Sequence, residues 1–436
     1  MVIKNEPFSE SDFFQKVFGI ERGLAEELLM AEEESRQQGW FDRVETVSTL
    51  NHYKILKFFQ QVGVNEFHFQ DTTGYGYGDL GREVLEKLYA HVFGGEAALV
   101  RPQIISGTHA LSLCLNALLR PGDTLLAACG KPYDTLATVI GIEGRVKGSL
   151  RAKGVVYAQV NFTAQGQPDF LGLAREAERL KPRICLIQRS RGYQSRPALS
   201  VHTIRQLVET VKQVSPQTVC LVDNCYGELV EEIEPPEVGA DLTAGSLIKN
   251  PGGGLAPGGG YIVGREDLID EIAAHLTAPG LGKDLGPFSG KRLFYQGLFQ
   301  APWVVKEALK GAILAARFFQ RLGYAVDPLP SDSRYDIVQT VTLGSLEALL
   351  AFCRGLQRGG PVEADARPEP APLPGYNEKV IMAGGTFIQG ASLELSADAP
   401  VRPPFTVFLQ GGISLAYTKV ALLTAAQEVL QMRYVR

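Results

Sequence analysis

VCLVDNCYGELVEEIEPPEVGADLTAGSLIKNPGGG, at positions 219–254, is the stretch of sequence that decides the fold. One apolar run ends at Asp223, and Lys249 follows near the predicted end of a second run. Apolar runs without polar alternation are typical of strands buried on both faces of a parallel sheet. Because ligands of such sheets bind outside the carboxyl ends of the strands, we expect the carboxylate and the amine to face one crevice.

Similar apolar runs alternate with segments of helical periodicity from about Gly81 to Gly264. This alternation predicts an α/β domain with a mostly parallel sheet. The predicted strands are at 97–100, 124–129, 155–160, 184–188, 219–223 and 261–264.

The flanking sequence divides the chain into three parts. Residues 1–70 carry apolar residues at helical spacing and predict an N-terminal helical arm. Residues 71–300 form the predicted large domain, and residues 301–436 a smaller α+β domain. In the C-terminal part, we expect helices at 295–322 and 414–432, strands at 336–341, 379–383 and 405–410, and an exposed proline-rich connection at 359–375.

Composition excludes several classes of protein. The 436 residues include 45% hydrophobic and 21% charged residues, as in an ordinary globular chain. The net charge of −5 comes without a basic cluster interleaved with aromatic residues, which argues against nucleic-acid binding. Neither a signal-peptide core nor an apolar run of about 18 residues is present, so we expect no membrane span. Six scattered cysteines predict a reducing, cytoplasmic location, and the His and Cys spacings predict no metal site.

A GxGxxG pattern occurs at Gly76, Gly78 and Gly81. In a dinucleotide-binding protein this pattern follows a buried strand, and an acidic residue comes about 20 residues later. Neither feature accompanies it here. The pattern is therefore interpreted as a loop before a helix at 81–93.

The pair Asp223 and Lys249 leaves two interpretations open. One is an ion pair between two loops, which contributes little at a surface. The other is a pyridoxal phosphate (PLP) site, where a lysine links covalently to the cofactor and a carboxylate keeps the pyridine nitrogen protonated.

Three further features favour the cofactor. Ser106-Gly107-Thr108 precedes an apolar helical stretch, and a helix N-terminus of this kind suits a phosphate, although a plain serine cap is the common alternative. Ser246 lies close enough to Lys249 in sequence to reach the same phosphate. Tyr133 follows a predicted strand, where its ring could stack on a planar cofactor.

The longest informative segments are TGYGYGDLGREVLEKLYAHVFGGEAALVRPQIISGTHA, VDNCYGELVEEIEP, GADLTAGSLIKNPGGG and GTFIQGASLELSADAPVRPPF. In these segments the chain resembles the fold-type I PLP-dependent enzymes, and within them the aluminium-resistance group known as cystathionine β-lyase-like or methionine γ-lyase-like. The resemblance implies a PLP-transferase-like α/β fold with a seven-stranded, mostly parallel sheet and a smaller α+β domain. It implies a carbon–sulfur lyase that acts on a sulfur-containing amino acid by β- or γ-elimination. An aminotransferase, or a PLP-binding protein with a regulatory or metal-tolerance role, is the alternative.

The resemblance also implies roles for individual residues. Lys249 corresponds to the covalently attached lysine and Asp223 to the partner of the pyridine nitrogen. Gly107, Thr108 and Ser246, with Ser106, correspond to the phosphate site, and Tyr133 to the ring-stacking aromatic residue. One departure is Ile248, which stands where relatives often carry a hydroxyl residue, so the phosphate site depends more on backbone N–H groups.

Two further roles concern substrate and assembly. In relatives, an N-terminal tyrosine contacts the phosphate that the neighbouring subunit binds. Tyr75 or Tyr77 is the candidate for this role, and whether Arg82 joins them at the phosphate is left open. This implies a homo-oligomer, at least a dimer and in its relatives a tetramer.

A guanidinium best holds the α-carboxylate of an amino acid. Arg402 is our first choice, since relatives take this arginine from the C-terminal domain, and Arg191 and Arg196 are alternatives. Lys249 would remove the Cα proton, and Tyr133 or Lys249 a second proton if the leaving group is on Cγ.

Overall fold

The computed structural model describes residues 9–142, 146–373, 375–376 and 378–434. Of the proline-rich connection at 359–375, Pro374 lies outside the described residues. The helices are α1 (Glu10–Phe18), α2 (Arg22–Gln37), α3 (Trp40–Val62), α4 (Leu80–Phe93), α5 (Gly107–Leu118), α6 (Asp134–Ile140), α7 (Phe170–Leu180), α8 (Val201–Val214), α9 (Glu266–Leu276), α10 (Lys291–Arg321), α11 (Leu346–Arg358), α12 (Ser392–Leu395) and α13 (Leu415–Tyr434).

The strands belong to two sheets. They are β1 (Ala97–Arg101), β2 (Thr124–Ala127), β3 (Val156–Gln159), β4 (Ile184–Gln188), β5 (Val219–Asp223), β6 (Leu242–Ser246), β7 (Gly260–Gly264), β8 (Ala325–Asp327), β9 (Val338–Thr342), β10 (Val380–Ala383), β11 (Ser396–Pro400) and β12 (Thr406–Gln410). Short 3-10 helices occupy Glu66–Phe69, Arg151–Lys153, Pro235–Val238, Asn250–Gly252 and Gly282–Asp284.

The large sheet has seven strands in the order β1-β7-β6-β5-β4-β2-β3. β7 runs antiparallel to both of its neighbours, and the remaining neighbouring pairs are parallel. This confirms the predicted α/β architecture with a mostly parallel seven-stranded sheet. The predicted strand runs fall on β1 to β5 and β7, with ends that differ by up to two residues.

Helices cover both faces of this sheet, which explains the uninterrupted apolar runs. Successive residues of β5 point to opposite faces. Leu221 packs in a core with Leu111 of α5, whereas Cys220 packs in a core with Leu207 of α8. Apolar side chains therefore cover both faces of β5, and only its last residue, Asp223, is charged.

The smaller sheet has five antiparallel strands in the order β10-β11-β12-β9-β8. It packs against α11 and α13 through a core that includes Leu349, Phe352 and Leu422. The sequence did not predict β8 or β11. β8 has only three residues, and SADAP in β11 lacks the branched and aromatic residues typical of strands.

α10 connects the two sheets as one helix of 31 residues, with Pro302 inside it. α2 and α3 of the N-terminal part pack along α10. Ser48 of α3 donates a hydrogen bond from its hydroxyl to the carbonyl oxygen of Pro302, at 2.8 Å. Among the described residues, no helix has the length and apolar content needed to cross a membrane.

Candidate functional site

A cavity of about 480 Å³ lies where β4, β5 and β6 end. β5 and β6 are neighbouring parallel strands, so the residues that follow them emerge at the same edge of the sheet. The small sheet closes the cavity from the other side through β9 and β12. Most of the candidate residues line it, namely Ser106, Gly107, Thr108, Tyr133, Arg191, Asp223, Ser246, Lys249 and Arg402.

Asp223 is the last residue of β5 and is buried. Its Oδ1 accepts a hydrogen bond from the backbone N–H of Cys225, at 3.2 Å. Burial raises the pKa of the Asp223 carboxyl, and the nearby Lys249 opposes that rise. A cationic group placed next to this carboxylate would therefore be strongly favoured.

Lys249 follows β6 by three residues and directs its amine into the cavity. Its Nζ lies 3.7 Å from the ring centroid of Tyr226. Burial favours the neutral amine, but the acidic groups around it, led by Cys225 and Tyr226, outweigh burial and raise the pKa of Lys249 well above its usual value. Within the described residues, no carboxylate forms an ion pair with this amine.

The N-terminus of α5 forms one end of the cavity. Ser106 caps the helix by accepting a hydrogen bond from the N–H of His109 at 3.0 Å. A Cβ on Gly107 would lie 3.1 Å from the Cys225 sulfur and 3.3 Å from the Ser246 Cβ, so both neighbours would have to shift by a few tenths of an ångström to admit it. The helix dipole and first-turn N–H groups, beside the buried Ser246, make this end suitable for a phosphate.

Tyr133 stands at the start of α6. Its backbone N–H donates to Oε1 of Gln188 at 2.9 Å, and its hydroxyl lies 3.1 Å from the Thr108 hydroxyl. Burial, with Asp223 nearby, raises the pKa of Tyr133 well above its usual value. The ring is therefore a neutral phenol fixed at both ends.

The three candidate arginines differ in their surroundings. Arg402 is half-exposed, donates to the Tyr193 carbonyl at 2.8 Å and pairs with Glu378 at 3.2 Å. Arg191 is buried and pairs with Asp327 of β8. Both line the cavity, whereas Arg196 is buried among backbone carbonyls outside the lining, where burial lowers its pKa to about 10.

Tyr75 and Tyr77 lie outside the cavity of their own chain. Their side chains are 71% and 66% exposed, with ring centroids 5.5 Å apart. Arg82 is buried and donates to the carbonyls of Gly76, Gly286 and Asp284. Its guanidinium therefore holds the loop that carries the two tyrosines.

Sequence reasoning did not identify several residues that line the cavity. Gln188 ends β4 and could have been found by the strand-end argument that identified Asp223. Tyr193 and Phe408 have ring centroids 5.3 Å apart, and Tyr193 and Tyr376 5.7 Å apart, which gives the cavity an aromatic wall. The remaining such residues include Gln194, Tyr226, Val338 and Gln410.

These observations fit a planar cofactor with a phosphate at one end. The cradle at Gly107 and Ser246 would take the phosphate, and the buried Asp223 would face a protonated ring nitrogen. The amine of Lys249 enters the same cavity. Among the residues that the structure describes, no group of three or more His, Cys, Asp or Glu side chains is arranged to bind a metal ion.

Solved structures resemble this chain closely. A carbon–sulfur lyase involved in aluminium resistance from Clostridium novyi NT is 42% identical, with a TM-score of 0.91, and the match covers 96% of this chain and 99% of that one. The pyridoxal-5'-phosphate-dependent protein YhfS from Escherichia coli is 18% identical, with a TM-score of 0.61 over 89% of this chain and 97% of that one. This second match confirms the fold type alone.

Sequence comparisons agree over nearly the same length. The uncharacterized protein YnbB of Bacillus subtilis (strain 168) is 46% identical over 399 residues, which are 91% of this chain and 94% of that protein. The family model described as methionine gamma-lyase matches residues 26–430. The chain belongs to the methionine gamma-lyase family.

Proposed function

We propose that the protein is a PLP-dependent carbon–sulfur lyase that acts on a sulfur-containing amino acid of the cystathionine or methionine type. The observation that carries this proposal is the convergence of Asp223 and Lys249, from neighbouring strands, on one cavity. The α5 N-terminus at the same cavity supplies the anion site that the cofactor needs. Membership of the family supports the reaction class.

The candidate residues of the cavity would each serve one function in such a reaction. Lys249 would attach the cofactor, Asp223 would hold a proton on its ring nitrogen, and Tyr133 would stack against its ring. Ser106, Gly107, Thr108 and Ser246 would bind its phosphate. When bound, PLP supplies an electron sink for the carbanion at the substrate Cα.

The chain's own groups would then position the substrate and move its protons. Arg402, or Arg191 in its place, would hold the α-carboxylate through two parallel hydrogen bonds. The amine of Lys249 would take the proton from Cα. In β-elimination the Cβ–S bond breaks, the sulfur leaves with the electron pair as a thiolate, and the released aminoacrylate takes up water to give pyruvate and ammonia.

The aromatic wall supports a substrate whose side chain carries an apolar thioether. Tyr193, Tyr376 and Phe408 offer ring faces and edges rather than charge. Contacts of sulfur with aromatic rings are favourable by about 0.3–1.5 kcal/mol. A γ-leaving group requires removal of a second proton, from Cβ, and Tyr133 and Lys249 are our candidates for this step.

We propose further that the active unit is a homo-oligomer. Tyr75 and Tyr77 are large and exposed, and Arg82 holds the backbone of the loop between them at Gly76, which suits side chains that complete a neighbour's site. Aromatic side chains of this size are enriched at interfaces.

The experiment that tests the reaction is an assay of the cofactor-loaded protein with cystathionine, cysteine and methionine. We expect keto acid, ammonia and thiol in equal amounts from at least one of them. Lys249→Ala is the control, because it keeps the phosphate site but removes the amine, and it should give no product. Conversion of the cofactor to its amine form without release of thiol would indicate an aminotransferase. If the protein bound the cofactor but formed no product, it would be a PLP-binding protein without lyase activity.

A further inference from the structure

Tyr226 holds an unusual position for its residue type. Its φ is +72°, in the left-handed region that residues other than glycine seldom adopt. Such backbone strain persists only where the surrounding structure enforces it, and it concentrates at functional sites. The conformation places the Tyr226 ring against the Nζ of Lys249, at 3.7 Å from the ring centroid.

The side-chain amide of Asn250 links the backbone of Tyr226 to the residue next to Lys249. Asn250, the residue after Lys249, is fully buried and donates from Nδ2 to the Tyr226 carbonyl at 3.1 Å and to the Glu228 carbonyl at 2.9 Å. The N–H of Ile337, which precedes β9, also donates to the Tyr226 carbonyl, at 3.2 Å. The tyrosine backbone is therefore fixed to both halves of the molecule, which fixes the point from which the ring extends towards the lysine.

The alternative partner for the amine is Asp223, whose buried carboxylate lies in the same cavity. An ion pair between them would occupy the carboxylate that the proposed function assigns to the cofactor nitrogen. In the structure, the amine lies on the ring face instead. A ring face attracts a cation without taking its proton and without satisfying the carboxylate.

We infer that Tyr226 is a positioning residue that receives the ε-ammonium of Lys249 on its ring face whenever the lysine is not covalently linked. This inference rests on the proposed function and adds a step that it does not contain. The ring keeps the free amine inside the cavity and away from Asp223. The lysine thus stays in place, and it must release its extra proton before it can act as a base or re-form its link when product leaves.

The first test is independent of any activity. Lysines of the full-length, cofactor-free protein are reductively methylated with ¹³C-formaldehyde, and the Lys249 resonance is assigned by its loss in Lys249→Arg. We expect ring current to displace this resonance upfield in the native protein and in Tyr226→Phe, which keeps the ring. Tyr226→Leu should abolish the displacement. An undisplaced resonance in the native protein would overturn the inference, whatever the variants do.

The second test measures the consequence for the cofactor. Pyridoxal phosphate is mixed with each cofactor-free protein, and the visible band of the lysine-linked form is followed against pH. We expect Tyr226→Leu to form the link roughly tenfold more slowly at neutral pH, and Tyr226→Phe to behave like the native protein. Equal rates in all three proteins would refute the positioning role. If the native protein forms no link at all, the proposed function fails, whereas the resonance still decides whether the ring receives the amine.

Discussion

Gln188 and Asp223 are register partners at the carboxyl ends of the neighbouring strands β4 and β5. Asp223 turns its carboxylate into the cavity, while Gln188 uses its Oε1 to accept the backbone N–H of Tyr133 and its Nε2 to donate to the Ser190 carbonyl. The carboxylate that is proposed to face the cofactor nitrogen and the amide that fixes Tyr133 are therefore set by one pair of strands.

Replacing Gln188 by Leu should weaken cofactor binding by about tenfold, because the buried N–H of Tyr133 loses its acceptor at a cost of about 1–3 kcal/mol. Gln194→Leu is the matched control, because it makes the same change in the cavity lining, where the Gln194 amide donates to the Lys131 carbonyl, and leaves the acceptor of the Tyr133 N–H in place. Titration of both variants with pyridoxal phosphate measures the difference. Equal affinities would show that the Tyr133 ring does not depend on this bond.

Gly107→Ala should lower the affinity for pyridoxal phosphate by at least about tenfold, since the added methyl group approaches Cys225 and Ser246 to 3.1 and 3.3 Å. Gly23→Ala is the control, because nothing lies within 4 Å of the added atom in α2. That control should leave cofactor binding unchanged and stabilise the protein slightly. If Gly107→Ala bound pyridoxal phosphate as tightly as the native protein does, the phosphate would not bind at the N-terminus of α5.

Arg402→Lys should raise the KM for the amino acid by about ten- to a hundredfold and leave the visible band of the cofactor unchanged, because a lysine cannot form the two parallel bonds. Arg191→Lys should chiefly lower stability, since this arginine pairs with Asp327 across the two sheets. Steady-state kinetics and thermal unfolding of both variants separate the two roles. A larger rise in KM for Arg191→Lys would reverse the assignment.

Glu228 predicts a pH dependence of stability. This carboxyl is fully buried, accepts a hydrogen bond from the Tyr261 hydroxyl at 2.9 Å, and its pKa is raised by burial from 4.5 to about 8. The folded protein thus binds this proton more tightly than the unfolded chain does. The contribution to stability is fully present below pH 4.5 and is lost as the pH rises to about 8.

Glu228→Gln should remove that loss, because the amide stays neutral. Urea unfolding of the native protein and the variant between about pH 5 and pH 8 gives the difference in the free energy of unfolding. We expect the native protein to lose stability relative to the variant as the pH rises. If the free energy of unfolding changed with pH in the same way in both proteins, Glu228 would be ionised over this whole pH range.

Subunit mixing tests the assignment of the exposed tyrosines. A double variant, Tyr75→Ala with Tyr77→Ala, and Lys249→Ala should each be inactive. Co-refolding the two should restore part of the activity, because some dimers then contain one intact site. Sedimentation of the native protein should show at least a dimer. An active monomer, or a fully active double variant, contradicts the assignment.

The sequence was sufficient to predict most of the large sheet, because inner strands such as β4 and β5 are buried along their whole length and appear as apolar runs. β6, with the sequence LTAGS, has no such run. Asp223 was identifiable because a charged residue at the end of an apolar run requires a partner. Family resemblance supplied the roles of the residues around it. Nearly all of those residues lie around one cavity, and their roles stay predictions.

The rest of the site could not be predicted because it depends on contacts between distant positions. Tyr193 and Phe408 come from different halves of the chain, and only the packing of the two sheets brings their rings to 5.3 Å. The left-handed backbone of Tyr226 follows from tertiary hydrogen bonds to Asn250 and Ile337, and a tyrosine has no local preference for it.

The continuous helix α10 couples the angle between the two sheets to the bending of a single helix. Any change in the angle between the two sheets must bend this helix of 31 residues, which is buried along much of its length. Flexing costs least at Pro302, where the ring already removes one backbone hydrogen bond. A hinge at that turn would widen the gap between the wall that carries Phe408 and the strand ends that carry Lys249.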